Sequence, residues 1–264
     1  MAIGEQVEQS GTSASPSVRG KVLQHPVKEI VHRLSDLGFV LDSGRRLITE
    51  AWDLVSPSEF SMLYRKIRPF TMCSNARLRA LYGGTKRVVR NDIPGALVEC
   101  GCARGGSAAL MALTLKQLGE ERDVWLCDTF EGLPAPTADD PDFEVADVFT
   151  GSCVGTIEDV RHLFVRLGLE NNSHFVKGLF QDTLSQTAFG PIALLHIDGD
   201  WYDSVRVCLE QLYARVTPGG LIQFDDYGYW QGARKAVDEF MTKRNIKSSL
   251  QKIDYSGRFL VKPA

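Results

Sequence analysis

Val98-Glu99-Cys100-Gly101-Cys102-Ala103-Arg104-Gly105-Gly106-Ser107 is the stretch that decides the fold. An apolar run, Ala96 to Cys100, opens at once into a glycine-rich turn, and a helical stretch, Ala108 to Leu118, follows. Glycines let the backbone turn tightly and pass close to a ligand. The N-terminus of the helix, with the side chains of Arg104 and Ser107, is placed to hold an anionic group, although a purely structural turn reads the same way. The spacing departs from Gly-x-Gly-x-x-Gly, which counts against a cradle for a dinucleotide pyrophosphate.

Outward from that turn, apolar runs recur at Val124 to Asp128, His174 to Lys177, Ile192 to Asp198 and Gly220 to Asp225. Near-continuous apolar strands alternating with helices predict a parallel sheet covered on both faces. At the tail, Leu250 to Asp254 and Arg258 to Lys262 flank Tyr255-Ser256-Gly257 and read as a hairpin adding one antiparallel strand. The expectation is an α/β fold, a doubly wound, mostly parallel seven-stranded sheet with an N-terminal helical extension. Residues 1–20, rich in Ser and Gly, read as a disordered leader. Residues 21–92 read as the helical extension, with helices over Pro57 to Ile67 and Asn75 to Tyr82, and 93–264 as the sheet domain.

Apolar residues make up 44% of the 264 and charged residues 24%, the balance of a globular chain large enough to bury a real core. A net charge of −3 gives no reason to expect nucleic acid or an anionic membrane as partner. No apolar run approaches the roughly 18 residues that span a bilayer, and the start of the chain lacks a signal pattern. A cytoplasmic protein is expected. The six cysteines include no Cys-x-x-Cys pair. Cys100, Cys102 and Cys127, at the ends of strand-like runs, read as small buried hydrophobes in a reducing compartment.

Open sheets of this kind bind ligands outside the carboxyl ends of their strands. Here those ends are acidic: Glu99, Asp128, Asp198 and Asp225-Asp226. Asp128 lies 22 residues after Gly106; it can accept both hydrogen bonds of a ribose diol, or cap the following turn. Asp198-Gly199-Asp200 and Asp225-Asp226 end strands expected to lie roughly 5 Å apart. Carboxylates that close repel each other unless a cation neutralises them, and an all-oxygen set suits Mg²⁺. Solvated acidic turns are the bland alternative. Asp182 reads either as a contact for an adenine amino group or as a helix N-cap. His196, inside a strand, reads as a satisfied core histidine. Tyr227, Tyr229 and Trp230 wall a pocket or simply pack, and Leu133 to Thr150 is a lid or an exposed loop.

Further motifs join these: Asp128-Thr129-Phe130-Glu131-Gly132-Leu133-Pro134, Lys177-Gly178, Phe180, Asp182-Thr183-Leu184, Ile197-Asp198-Gly199-Asp200, Tyr202, Ser204, and Pro218-Gly219-Gly220 through Asp225-Asp226-Tyr227-Gly228. Together they resemble the macrocin O-methyltransferase family, from about Phe70 to Phe240. The resemblance implies a class I methyltransferase fold, S-adenosylmethionine as methyl donor and a bound Mg²⁺. It also implies a small-molecule acceptor, a sugar hydroxyl of a glycosylated natural product. Carried over position by position, it implies Asp198, Asp225 and Asp226 as metal ligands and Asp200 as general base. It implies a cofactor site lined by Thr71, Met72, Glu99, Cys100, Gly101, Arg104, Ser107, Asp128, Thr129, Phe130, Gly132, Asp182 and Asp198. The family often carries Leu where this chain has Trp201, which reshapes the expected acceptor pocket, while its acid-to-Ser step survives as Asp203-Ser204. The first 60 residues match least and are expected to hold acceptor contacts and those of a homo-oligomer.

Other readings compete. A catechol or another vicinal diol would satisfy the metal as well as a sugar does. A nicotinamide-dependent oxidoreductase shares the glycine turn and the ribose acid but has no need of Asp198, Asp225 and Asp226 together. A non-catalytic nucleoside-binding protein has no need of Asp200.

Overall fold

The computed structural model describes residues 37–264. The expected leader and the first part of the helical extension lie outside the described residues. In chain order the elements are α1 (Leu37–Val55), α2 (Glu59–Ile67), α3 (Asn75–Arg90), β1 (Ala96–Cys100), α4 (Gly106–Leu118), β2 (Val124–Asp128), α5 (Phe143–Ala146) and α6 (Ile157–Leu167). They continue through β3 (Ser173–Lys177), α7 (Phe180–Thr183), β4 (Ile192–Ile197), α8 (Tyr202–Leu212), β5 (Val216–Phe224), α9 (Gln231–Lys243), β6 (Gln251–Lys252) and β7 (Arg258–Val261). Among the described residues no helix is long and apolar enough to cross a membrane.

The seven strands form one sheet in the order β3-β2-β1-β4-β5-β7-β6. All pairings from β3 to β5 are parallel, and β7 runs antiparallel to both β5 and β6. The chain winds outward from β1 to β3, then returns to lay β4 on the other side of β1. The switch point therefore lies between the carboxyl ends of β1 and β4, where open α/β sheets bind their ligands.

Both faces of the sheet are covered, and the strands alternate between two cores as a pleated ribbon must. Leu97, Leu126, Leu194 and Leu221 pack with α2, α3, α4 and α6. Val98, Cys127, Leu195 and Ile222 pack with α8 and α9 on the opposite side. Tyr64 and Ile67 of α2 and Leu78 and Leu81 of α3 are almost fully buried in the first core, so these helices share one core with the sheet. Helix α3 runs eight residues beyond the expected Tyr82 end, straight through Gly83-Gly84. The reason is close packing. A Cβ on Gly84 would stand 3.1 Å from Cδ1 of both Leu194 and Leu221, so the helix rides close enough to the sheet that even a methyl group would crowd those side chains.

The segment Leu133 to Thr150 is a docked wall rather than a loose loop. Trp201 Nε1 donates to the Pro134 carbonyl at 2.7 Å. Buried Asp140 accepts from the backbone N–H of Thr137 at 2.9 Å and of Tyr202 at 2.7 Å, tying the segment to the start of α8.

At the switch point Asp198 N donates to Cys100 O at 2.8 Å, and Gly101 has φ +87°. A Cβ on Gly101 would fall 1.7 Å from the Asp198 carbonyl oxygen. No side chain fits there without parting β1 from β4. Gly101→Ala is therefore expected to lower the thermal melting temperature by well over 5 °C, from backbone strain of about 1–3 kcal/mol plus the clash. A melting temperature within 1–2 °C of the parent would show that the two strand ends separate freely.

Candidate active site

A cavity of about 750 Å³ opens over the carboxyl ends of the strands. One end is formed by Gly101 and Ala103 of the glycine turn, Asp128-Thr129 after β2 and Leu179-Phe180-Gln181 after β3. At the other end stand Leu133, Pro134, Phe149, Trp201, Tyr229 and Trp230. Between them lie Asp198, Asp200, Asp225 and Asp226.

The glycine turn is held by Asp128. One carboxylate oxygen accepts from the N–H groups of Cys102 at 2.8 Å and Ala103 at 2.9 Å; the other accepts from Phe130 N at 2.7 Å. These bonds stabilise left-handed φ values of +42° at Ala103 and +56° at Phe130. Asp128 thus caps the turns around it while facing the cavity, so the two readings of this residue meet in one side chain.

The remaining cofactor candidates divide by position. Met72, Gly101, Thr129, Gly132 and Asp198 line the cavity, whereas Thr71, Glu99, Arg104, Ser107, Phe130 and Asp182 stand behind or beside its wall. Thr71 Oγ1 accepts from Cys73 N at 3.2 Å, Arg104 is exposed with its guanidinium 5.5 Å from the Phe70 ring, and Ser107 is buried in the first turn of α4. The Phe130 ring packs into the core. Two expectations need correction. The Cys100 side chain points into the α8–α9 core, because residues two apart on a strand share a face and Val98 already faces that core. Asp182 is exposed on α7 and does not reach the cavity, which Leu179, Phe180 and Gln181 line at that strand end instead.

Below the cavity floor runs a buried chain of charges. Glu99 and His196 are register partners on β1 and β4, and His196 Nδ1 bonds Glu99 Oε1 at 2.7 Å. His196 Nε2 faces Asp225 Oδ1 at 3.3 Å. Asp225 Oδ2 forms a close ion pair with Arg77 of α3, and Arg77 Nε lies 3.2 Å from Asp254 Oδ2. Burial pulls the His196 pKa down, but its bonds to Asp225 and Glu99 outweigh that and lift it to about 9, so the ring is held protonated. Burial likewise opposes ionisation of Asp225, yet Arg77 and His196 bring its pKa below the usual carboxylate value. His196 is thus the satisfied core histidine that the strand pattern suggests.

The other acids have no such counterion. Burial, then Asp225 and Asp226, push Asp198 well above the usual range; burial and Asp226 do the same to Asp200. Burial and Asp225 raise Asp226 to about 6. Carboxylate oxygens of Asp198, Asp200 and Asp226 lie within 4.8 Å of one another, and one of Asp198 and Asp225 lie equally close with Cys73 Sγ and a His196 ring nitrogen. Crowded carboxylates whose ionised forms are disfavoured fit a hard divalent cation. Asp200, at φ +55°, has Oδ1 held by Trp230 Nε1 at 2.9 Å. Trp230 in turn meets Trp201 and Tyr229 edge-on, each with ring centroids 5.0 Å apart. Tyr227 is not part of this wall; its hydroxyl donates to Asp238.

Comparison with known proteins identifies the family. The macrocin O-methyltransferase (TylF) family profile matches residues 65–262. The chain belongs to the macrocin O-methyltransferase family. Over 195 residues it is 35% identical to 8-demethyl-8-(2,3-dimethoxy-alpha-L-rhamnosyl)-tetracenomycin-C 4'-O-methyltransferase of Streptomyces olivaceus, covering 72% of this chain and 74% of that one. Mycinamicin III 3''-O-methyltransferase of Micromonospora griseorubida is 31% identical over 223 residues, covering 80% and 85%. The solved O-methyltransferase NovP superposes with a TM-score of 0.70 at 32% identity, covering 74% of this chain and 83% of that one. The protein is an O-methyltransferase with the class I fold, which uses S-adenosylmethionine, and the oxidoreductase reading falls away.

Sequence reasoning missed Cys73 and Arg77, which line the cavity, and Asp254, which pairs with Arg77. Arg77 meets Asp225 across 148 positions of the chain, and nothing in its helical surroundings marks it out. The Asp128 bonds carry a checkable consequence. Asp128→Ala leaves three backbone N–H groups without their acceptor and is expected to cost about 1–3 kcal/mol in urea denaturation. A change below about 0.5 kcal/mol would mean that the glycine turn holds its shape without Asp128.

Proposed function

We propose that this methyltransferase transfers a methyl group to a hydroxyl of a sugar carried by a glycosylated natural product, in the cytoplasm, with Mg²⁺ bound by Asp198, Asp225 and Asp226. The observation that carries the reading is Asp200, a carboxylate held by Trp230 at the boundary between the carboxylate cluster and the aromatic end of the cavity. The names of the relatives support the sugar, since one methylates a rhamnosyl group.

In the proposed reaction the acceptor O–H gives its proton to Asp200, a new C–O bond forms to the donor's methyl carbon, and the sulfur–carbon bond breaks. The sulfur leaves with the bonding pair. Asp128 holds the glycine turn in the shape that lets the donor lie against Gly101 and Ala103. Glu99 Oε2 is buried without a hydrogen-bond partner among the described residues, and a donor amino group fits that acceptor. Trp230 fixes one oxygen of Asp200, which leaves the other for the proton. The aromatic rings and Leu133-Pro134 exclude water from the acceptor and offer flat surfaces to the apolar face of a sugar. The bound ion would supply charge that stabilises developing alkoxide character on the acceptor oxygen.

Asp200→Asn is expected to reduce turnover about 10²–10⁴-fold, the usual worth of general-base catalysis, while calorimetric affinity for S-adenosylmethionine stays within about twofold. Turnover equal to the parent enzyme would remove Asp200 from the mechanism. Chelation of divalent ions should abolish turnover and added Mg²⁺ restore it; activity that persists in the chelator would sink the metal assignment.

A further inference from the structure

We propose that Arg77 is a built-in counterion for the carboxylate cluster, one that releases Asp225 to an arriving divalent cation and withdraws onto Asp254. The proposal rests on the reading of Asp225 as a metal ligand. Its starting point is that Asp225 Oδ2, a candidate donor to the ion, is the oxygen that the Arg77 guanidinium occupies. Nη1 of Arg77 also lies 3.4 Å from the Asp225 carbonyl. A divalent cation and a guanidinium cannot share one carboxylate oxygen without strong repulsion in a buried site. Either the ion is excluded from Asp225 or the arginine moves.

The surroundings of Arg77 make the second course possible. Its side chain is only 13% exposed, so it cannot simply turn to solvent. It already has a second anion within reach, because Nε lies 3.2 Å from Asp254 Oδ2 and 3.2 Å from Ser74 Oγ. Asp254 is itself immobile. Its Oδ1 accepts from Ser256 N at 3.0 Å and Gly257 N at 2.6 Å, and its Oδ2 accepts from Ser74 Oγ at 2.5 Å. Asp254 therefore stands as a fixed anion on the side of Arg77 away from His196. A guanidinium presents five N–H donors in a rigid fork, so it can give up its bond to Asp225 while Nε keeps its contact with Asp254. His196 remains bonded to Glu99 while this happens and keeps Asp225 aligned from the other side. Without the ion, Arg77 limits the repulsion among Asp198, Asp225 and Asp226. With it, the cost of moving Arg77 weakens ion binding, so the arginine sets the affinity of the site.

The test reads metal binding directly and needs neither acceptor nor turnover. Mn²⁺ is titrated into the full-length protein and the free ion is counted by electron paramagnetic resonance. Arg77→Met removes the competing cation and is expected to tighten Mn²⁺ binding about tenfold. Asp254→Asn removes the place of withdrawal, leaves Arg77 committed to Asp225, and is expected to weaken binding by a similar factor. The opposite signs matter, since simple damage to the site would weaken both. If Arg77→Met fails to fold, Arg77→Gln is titrated in its place, and the same tightening is expected. Weaker binding in both variants, or unchanged binding in Asp254→Asn, overturns the proposal. Failure of the parent protein to bind Mn²⁺ would instead overturn the metal reading on which it rests.

Discussion

The line of alternating buried charge from Glu99 through His196, Asp225 and Arg77 to Asp254 is the constraint on which the site depends. It crosses three strands, one helix and the tail hairpin, and each member is held by neighbours of opposite sign. Buried ions are costly unless paired and hydrogen-bonded, so the line fixes where β1, β4, β5 and α3 can stand relative to one another. It also decides which acids remain uncompensated. Asp225 has a guanidinium and an imidazolium; Asp198, Asp200 and Asp226 have no such partner among the described residues and lie between the two ends of the cavity.

Methyl transfer to a hydroxyl needs three things in one place: a donor held in fixed orientation, a means of removing a proton, and a surface that presents the acceptor. In the function proposed above, the doubly wound sheet supplies them from different elements. The first βα turn, pinned by Asp128, shapes the donor end. The ends of β4 and β5 bring the carboxylates. The segment after β2 folds back over α8 and joins Trp201 and Trp230 to complete the acceptor end. Gly101 links the first two, because the same backbone approach that closes β1 on β4 sets the glycine turn against Asp198.

Much of this layout is legible in the sequence, for physical reasons. The parallel strands announce themselves because both faces of the sheet are buried, so Ala96 to Cys100 and Ile192 to Ile197 are apolar almost throughout. Acids at the strand ends stand out against that background. What is illegible depends on orientation or on distant partners. Cys100 adjoins Gly101 in sequence, yet pleat parity turns its side chain into the core. Asp182 stands at a strand end, but the short helix α7 aims it at solvent. Gly83-Gly84 looks like a helix stop, whereas the helix continues and Gly84 marks close approach of α3 to Leu194 and Leu221. Arg77 lies on an ordinary amphipathic helix, and only the folded chain brings it to Asp225. The domain division at residue 92 follows the onset of strands, while α2 and α3 pack into the same core as the sheet.

The central claim is that the fold gathers carboxylates which a divalent cation stabilises. Its most direct test is the melting temperature of the unsubstituted protein titrated with MgCl₂, against NaCl at matched ionic strength. Relief of repulsion among Asp198, Asp225 and Asp226 by a specifically bound ion predicts a saturable rise of several degrees with Mg²⁺ and none with Na⁺. Identical melting curves in the two salts up to millimolar Mg²⁺ would contradict it, leaving the cluster to be stabilised by its own protons and by Arg77 alone.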